Sequence, residues 1–167
     1  MSIIEFFENS GLSVWVRESP SLLAYTSILS LHAMGLALVV GVNTAVSLRL
    51  LGVAPGIPLA PTLKLFPLMY IGFFINAISG LILLAAYASS MLSNAMFFIK
   101  MAFIVLAVVS MRLIRSRVYS NAQLLDSLPV LTQARLLAAA SIACWGGAIF
   151  AGRLTAYPYF VESWFGI

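Results

Sequence analysis

Residues 22–51 read LLAYTSILSLHAMGLALVVGVNTAVSLRLL, and this stretch decides the fold. It is long enough to cross a bilayer, for which about 20 apolar residues suffice. Its histidine, His32, is the one histidine of the whole chain. Gly35, Val39 and Asn43 follow His32 at helical spacing, so all four residues share one face of the predicted helix. Because hydrocarbon offers an imidazole no hydrogen-bond partner, we expect His32 to face a partner inside the protein.

The composition places the chain in a membrane. Of the 167 residues, 62% are hydrophobic and 8% are charged, whereas a soluble domain has about 25% charged residues. The single cysteine, Cys144, lies in an apolar run, so the sequence predicts no disulfide framework. The net charge of +4 is spread over too few charged residues to indicate nucleic-acid binding. We therefore predict an integral membrane protein.

Four apolar segments of spanning length predict an all-α, antiparallel four-transmembrane-helix bundle. These spans cover about 22–51, 65–88, 94–114 and 136–157, and they form a single membrane domain over residues 1–167. An amphipathic N-terminal helix over 2–17 is too short and too polar to span, so we expect it to lie in the membrane interface. The aromatic tail, 158–167, predicts a second interfacial segment.

Local signals mark helix ends and contact faces. Ser93 or Asn94 is suited to cap the third span. Gly72, Asn76 and Gly80 are spaced by four, which predicts a small and polar stripe that allows close helix contact. The fourth span carries a similar stripe, made of Ala139, Ala143, Gly147 and Ala151.

The positive charges predict the orientation. Six of the nine lysines and arginines flank the loops that follow the first and third spans. They are Arg49, Lys64, Arg112, Arg115, Arg117 and Arg135. The positive-inside rule puts these loops in the cytoplasm. Both termini then face the outer, periplasmic side of a bacterial inner membrane.

A few polar side chains lie deep in the predicted spans, in the half nearer the outer side or at the centre. They are His32, Asn76, Lys100 and Arg153. No Asp or Glu lies in any span, although a buried cation costs at least about 2.5 kcal/mol on insertion scales. The nearest acids, Glu18 and Glu162, lie at the outer boundary. Either these acids fold inward, or the partner of the cations is a bound anion.

Two interpretations of this polar set remain open. In the first, Lys100 and Arg153 extend to the outer headgroups. His32 then donates to a backbone carbonyl or to Asn76 and serves only packing. In the second, His32 is the axial ligand of a haem whose propionates pair with Lys100 and Arg153. The sixth position of the iron would then stay open or take a group from a second subunit or from this chain. The candidates in this chain are Met69, Met96, Met101 and Lys100.

Copper binding is a third interpretation. Seven methionines and one histidine supply ligands that are soft enough for Cu(I). The methionines are scattered along the chain, however, and form no clustered Met-x-x-Met pattern. The composition therefore indicates copper only weakly.

Two sets of residues resemble known membrane families. Leu31-His32-Ala33-Met34-Gly35, running on to Leu48-Arg49-Leu50, is similar to the first core helix of two groups. These are the haem-binding four-helix protoporphyrinogen oxidase and the copper-resistance D membrane family. Phe97-Phe98-Ile99-Lys100-Met101 extends the likeness. Together with Gly152-Arg153-Leu154-Thr155-Ala156-Tyr157, the chain more closely resembles small uncharacterised bacterial four-span membrane proteins. The resemblance to the oxidase implies a b-type haem and functional roles for His32 and Lys100.

The leading functional hypothesis is a small inner-membrane protein with a polar site that binds haem b or another anionic, lipid-soluble cofactor such as a quinone. The site would consist of His32, Asn76, Lys100 and Arg153, with His32 as the metal ligand, and its role would be electron transfer. The alternative is a non-catalytic accessory subunit of a membrane complex that uses the small-residue stripes as contacts. Expected partners are the lipid bilayer and either a second copy or a larger complex. No nucleophile–base pair is evident, so the sequence does not predict hydrolysis.

Overall fold

The computed structural model describes residues 3–120 and 132–157. Within these ranges the chain is helical and contains no strand. Four of its helices are long and apolar enough to cross a membrane, which confirms the predicted all-α four-helix membrane bundle. The predicted interfacial tail at 158–167, as well as Asp126 and Glu162, lies outside the described residues.

Seven α-helices follow one another along the described chain. They are α1 (Ile3–Glu8), α2 (Gly11–Glu18), α3 (Leu22–Leu51), α4 (Phe66–Ala86), α5 (Ala88–Leu92), α6 (Ala95–Leu113) and α7 (Thr132–Leu154). A short 3-10 helix, Ala60–Leu65, leads into α4, and a π-turn, Ile114–Val118, follows α6. The spanning helices are α3, α4, α6 and α7. We call the end of the bundle that carries α1 and α2 the N-terminal end, and the other the arginine-rich end.

The N-terminal segment differs from the single helix predicted over 2–17. The structure divides it into α1 and α2, because Ser10 adopts an extended conformation (φ −65°, ψ 147°) and its side chain caps Ser13 N–H. The amphipathic character is as predicted: Trp15 and Phe6 are exposed, whereas Val16 is buried against the bundle. We call α1 and α2 together the N-terminal strap.

Capping residues set the ends of the spans. α3 begins at the Ser21 cap and ends at Gly52, which has the left-handed φ of 90° that favours glycine. Of the two predicted caps for the third span, the structure uses Asn94, whose side chain accepts from Met96 N–H at 2.9 Å. α4 stops at Ala86, two residues before the predicted end, because Tyr87 leaves the helical region (φ −132°, ψ 36°). Helix α5 starts directly after this break.

The fourth span is displaced from its predicted position. α7 covers Thr132–Leu154 rather than 136–157. At its end the Thr155 hydroxyl donates to the Gly152 carbonyl at 2.7 Å, and Pro158 follows in the sequence. The residue before a proline is disfavoured in the helical region, so the helix ends before Tyr157.

The spanning helices pack as two pairs, α3 with α4 and α6 with α7, which are joined through contacts between α3 and α7. Gly35 and Gly72 form the closest approach between α3 and α4: a Cβ on Gly35 would lie 2.6 Å from Asn76 N, and one on Gly72 would lie 2.7 Å from Leu38 Cβ. The predicted stripe on the second span therefore faces α3. Small residues let the two backbones meet directly.

The stripe predicted on α7 does not form one contact face. Gly147 packs against the Phe103 ring and Ala151 is buried, but Ala139 and Ala143 are exposed. Residues spaced by four drift by about 40° per step around a helix of 3.6 residues per turn. The buried face of α7 instead follows Ala134, Ala138, Ser141, Trp145, Ala148 and Ala151.

The apolar core occupies the arginine-rich half of the bundle. Its spanning-helix members include Leu50 from α3, Phe66 and Met69 from α4, and Met111 from α6. Tyr119 closes this half by an edge-to-face contact with Phe66 at 5.3 Å. The half nearer the N-terminal end is not filled by an equivalent core, and the candidate site lies there.

Candidate functional site

A cavity of about 450 Å³ lies between the four spanning helices in the half nearer the N-terminal end. This volume is within the range of small-molecule sites, which is about 300–1,000 Å³. The residues predicted as a site, His32, Asn76, Lys100 and Arg153, all line it. The remaining lining is mostly apolar and aromatic. It comprises Tyr25, Leu29, Leu36, Gly80, Leu83, Leu84, Tyr87, Met91, Phe97, Ile104, Trp145, Ala148, Ile149, Gly152, Thr155 and Ala156.

His32 and Asn76 are bonded to each other across the α3–α4 contact. His32 Nδ1 lies 3.0 Å from the Asn76 carbonyl oxygen, and Asn76 Nδ2 donates to the His32 carbonyl at 2.8 Å. Since a carbonyl only accepts, we assign the imidazole proton to Nδ1. Nε2 then carries the lone pair, and Asn76 Nδ2 lies 3.4 Å from it.

Ser79 and Gly80 complete the surroundings of the imidazole, and the sequence analysis did not assign them this role. The Ser79 hydroxyl lies 3.2 Å from His32 Nδ1 and donates to the Ile75 carbonyl at 2.6 Å. A Cβ on Gly80 would come within 3.0 Å of His32 Cε1, so glycine leaves the space that the ring occupies. Both residues follow Asn76 by about one helical turn, so they share its face of α4. This spacing is the sequence signal that could have identified them.

Lys100 lines the cavity, and its methylene stem packs on α7. Its Cδ and Cε pack over Gly152 of α7, at 3.4 and 3.5 Å from the position of a Cβ there. No hydrogen bond or ion pair to its ammonium is present among the described residues. The small residue on α7 therefore makes room for a cation that has no protein counter-charge in this part of the chain.

Arg153 lies at the rim of the cavity. Its guanidinium donates to the Tyr157 hydroxyl at 2.8 Å and stacks over the Tyr157 ring at 5.2 Å from the centroid. The side chain is exposed, whereas Lys100 is half-buried. Lys100 and Arg153 thus mark two levels of the same cavity, one inside it and one at its mouth.

Among the residues that the structure describes, no acid lines the cavity. The acids in the described ranges are Glu5, Glu8 and Glu18, all in the N-terminal strap, and Glu18 is paired with Arg17 at 2.9 Å. The cavity therefore combines two cations and an imidazole with apolar walls. This arrangement favours a ligand with an anionic group and an otherwise apolar body.

The methionines proposed as second haem ligands do not line the cavity. Met69 and Met96 are buried elsewhere, and Met101 is exposed. Met91 of α5 does line it, near the N-terminal end. Within the described residues, no three His, Cys, Asp or Glu side chains form a group that could hold a metal ion.

A second set of polar groups lies between α3 and α7, toward the arginine-rich end. The Ser141 hydroxyl donates to Asn43 Oδ1 at 3.1 Å, and both residues are almost fully buried. Three buried atoms nearby in sequence, Asn43 Nδ2, Ser47 Oγ and Trp145 Nε1, have no partner among the described residues. Trp145 also lines the cavity, where its ring contributes to the apolar floor with Leu36 and Ile104.

Comparison with protein-family models, with curated proteins and with solved structures finds no match. The resemblance to the protoporphyrinogen oxidase and copper-resistance D families therefore stays a prediction. The structure itself describes a multi-pass membrane protein with a cationic cavity between its helices.

Proposed function

We propose that this chain binds a b-type haem, or another anionic lipid-soluble cofactor such as a quinone, within the membrane and takes part in electron transfer. The observation that carries the proposal is the shared cavity of His32, Lys100 and Arg153, which no described acid lines. We further propose a bacterial inner membrane as the location, with the N-terminal end and its cavity on the periplasmic side. The excess of arginine and lysine at the opposite end supports this orientation.

The donor set is compatible with haem. His32 would hold the iron through Nε2, because Nδ1 is occupied by the Asn76 carbonyl. Lys100 and Arg153 would pair with the propionates, and Trp145, Leu36 and Ile104 would pack against the macrocycle. Bound haem would supply one-electron exchange. In a quinone complex, the same His32 and Lys100 side chains would serve as hydrogen-bond partners of a carbonyl oxygen.

The lining favours haem or quinone over copper. A Cu(I) site takes several soft ligands, and the soft side chains that line the cavity are His32 and Met91. The two lie far apart along the cavity. His32 is about 15 Å below the start of α3 at a rise of about 1.5 Å per residue, whereas Met91 belongs to the short helix at the N-terminal end.

An absorption spectrum of protein purified in mild detergent tests the proposal. We expect a Soret band that disappears in His32→Ala and persists in Ser110→Ala, a matched control. Ser110 is also polar and largely buried, but it donates to Leu106 O away from the cavity. A folded protein that is colourless, does not take up added haem and contains no quinone in its extracted lipids would contradict the proposal and favour the accessory-subunit alternative.

A second experiment tests the role of Lys100. Protohaem carries two propionates, whereas its dimethyl ester carries none, so the pair isolates the anionic interaction. We expect the wild type to prefer protohaem by roughly 10- to 100-fold, the range of a hydrogen bond to a charged group of about 1.5–3 kcal/mol. Lys100→Met should lose most of this preference but still bind the ester. An equal preference in wild type and variant would exclude Lys100 as the counter-charge.

A further inference from the structure

The four spanning helices around the cavity are not all in close contact with one another within the described residues. α3 packs on α4, α6 packs on α7, and α3 packs on α7, but α4 and α6 hardly touch within the described residues. At the arginine-rich end the two helices are connected through side chains: Arg115 of the π-turn donates to Tyr70 OH at 3.1 Å. Toward the N-terminal end, α5 lies between them and contacts both. We call the stretch between α4 and α6 that lies between these two connections, at the level of the cavity, the gap.

The lining that α4 and α6 contribute is mostly apolar. It comprises Asn76, Gly80, Leu83 and Leu84 from α4, and Phe97, Lys100 and Ile104 from α6. The outward faces of both helices carry exposed apolar side chains, among them Leu81 at 64% exposure. In a bilayer such faces contact acyl chains. A ligand that entered between α4 and α6 at this depth would therefore come from the hydrocarbon.

The N-terminal end of the cavity is more restricted. The rings of Tyr25 and Tyr87, both lining residues, meet edge to face at 6.2 Å between centroids. The N-terminal strap packs on α3, α4 and α5 beside them. Arg17 connects the strap to the end of α4 by donating to the Ala86 carbonyl at 3.2 Å. A ligand that arrives from water beside the strap must pass these groups, whereas one that arrives from the membrane between α4 and α6 meets mostly apolar lining residues.

We infer that the cavity takes its ligand from the bilayer, through the gap between α4 and α6. The ligand class is an amphiphile dissolved in the membrane, with its anionic or polar group directed to Lys100 and its apolar part in the gap. The inference rests on the proposed function in that it treats the cavity as a binding site. It goes further by identifying the source of the ligand and the side from which it enters.

Thiol labelling in phosphatidylcholine vesicles tests the route without any cofactor. In a Cys144→Ala background the chain has no other cysteine, and Ala148→Cys then places one thiol on the cavity wall. We expect N-dodecylmaleimide, which dissolves in the bilayer, to label this thiol faster than a membrane-impermeant sulfonated maleimide. Leu84→Cys, on the wall of the gap, provides a second variant if Ala148→Cys does not fold. Ala138→Cys, fully buried in the core half of the same helix as Ala148, should remain unlabelled.

Obstructing the gap makes the experiment decisive. Ile104→Trp should slow labelling by N-dodecylmaleimide roughly tenfold, equivalent to a barrier about 1.4 kcal/mol higher. The matched control is Leu81→Trp, on the lipid-exposed face of α4, which should leave the rate unchanged. Labelling of Ala148→Cys by the sulfonated reagent alone, equal effects of the two tryptophans, or no labelling by either reagent would overturn the inference. Failure to bind either haem or quinone would contradict the proposed function and leave the labelling result unaffected.

Discussion

His32 and Asn76 are joined at both the side chain and the backbone. The imidazole donates to the Asn76 carbonyl at 3.0 Å, and the Asn76 amide donates back to the His32 carbonyl at 2.8 Å. Both bonds cross the interface where Gly35 and Gly72 bring α3 and α4 together. The contact that stabilises the helix pair therefore also sets the tautomer and the direction of the one histidine. Substitutions at Gly80 and at Gly35 can therefore separate the effect on ligand binding from the effect on helix packing.

Gly80→Ala should weaken ligand binding while leaving the fold intact. The added Cβ would lie 3.0 Å from His32 Cε1 and 3.3 Å from Nδ1, which is close enough to displace the ring from its present position. We expect lower haem occupancy, measured as Soret absorbance per folded protein. Gly146→Ala is the matched control, because a Cβ there meets nothing within 4 Å. Equal occupancy in the two variants would show that the position of the imidazole does not determine binding.

Gly35→Ala should destabilise the bundle. Its Cβ would lie 2.6 Å from Asn76 N and 2.8 Å from the Gly72 carbonyl, both backbone atoms that cannot rotate away. Overpacking of this kind costs about 1–3 kcal/mol. Gly41→Ala, on the same helix and in open space, should instead stabilise by about 0.5–1 kcal/mol, because alanine is the better helix residue. Unfolding in mixed detergent micelles measures both changes, and similar values for the two would contradict the proposed close contact.

The sequence was sufficient to predict the spans because the signals involved are local. Hydropathy identified four segments, and the observed α3 coincides with the predicted 22–51. Caps such as Asn94 depend on residues next to the helix, so they could also be predicted. The end of α4 could not be predicted in this way, because the break at Tyr87 is accompanied by contacts with the N-terminal strap, which is about 70 residues away in sequence.

The candidate site was predictable as a set of residues but not as an arrangement. Depth along each helix follows from residue number, so His32, Asn76, Lys100 and Arg153 could be assigned to one half of the membrane. Whether they face one another depends on how each helix is rotated, and close packing of small residues determines this rotation. For that reason the four-residue stripe predicted on α7 is not one contact face. The residues next to Lys100 in sequence did not indicate that its methylene stem would pack over Gly152.

Ser141→Ala should destabilise the α3–α7 interface, because it removes the partner of Asn43 Oδ1 in a buried environment. We expect a loss of about 1 kcal/mol. The double variant Asn43→Leu/Ser141→Ala should recover most of it, since neither partner of this bond is then left unsatisfied. Unfolding of the two single variants and the double variant gives the coupling energy. Strictly additive effects would indicate that the bond contributes nothing to stability.

Protonation of Glu8 should release the N-terminal strap from α5. Glu8 Oε1 accepts from the Ser89 hydroxyl at 2.7 Å and from Ser89 N–H at 2.8 Å. These two bonds hold the pKa of the Glu8 carboxyl below its ordinary 4.5. Because the folded-state pKa is the lower one, the stabilisation is complete above pH 4.5 and is lost as the pH falls through the folded-state value.

Hydrogen exchange at the Ser89 amide, corrected for the intrinsic pH dependence of exchange, measures this release. In wild type the amide should be protected at neutral pH and lose protection in acid. Glu8→Gln should make the protection independent of pH, because an amide oxygen accepts but does not titrate in this range. Met96 N–H is the internal control, since its acceptor is the side-chain amide of Asn94. If Ser89 keeps its protection in acid as fully as Met96, the Glu8 carboxylate does not control the attachment of the strap, and the remaining contacts, among them Arg17 to Ala86, are sufficient.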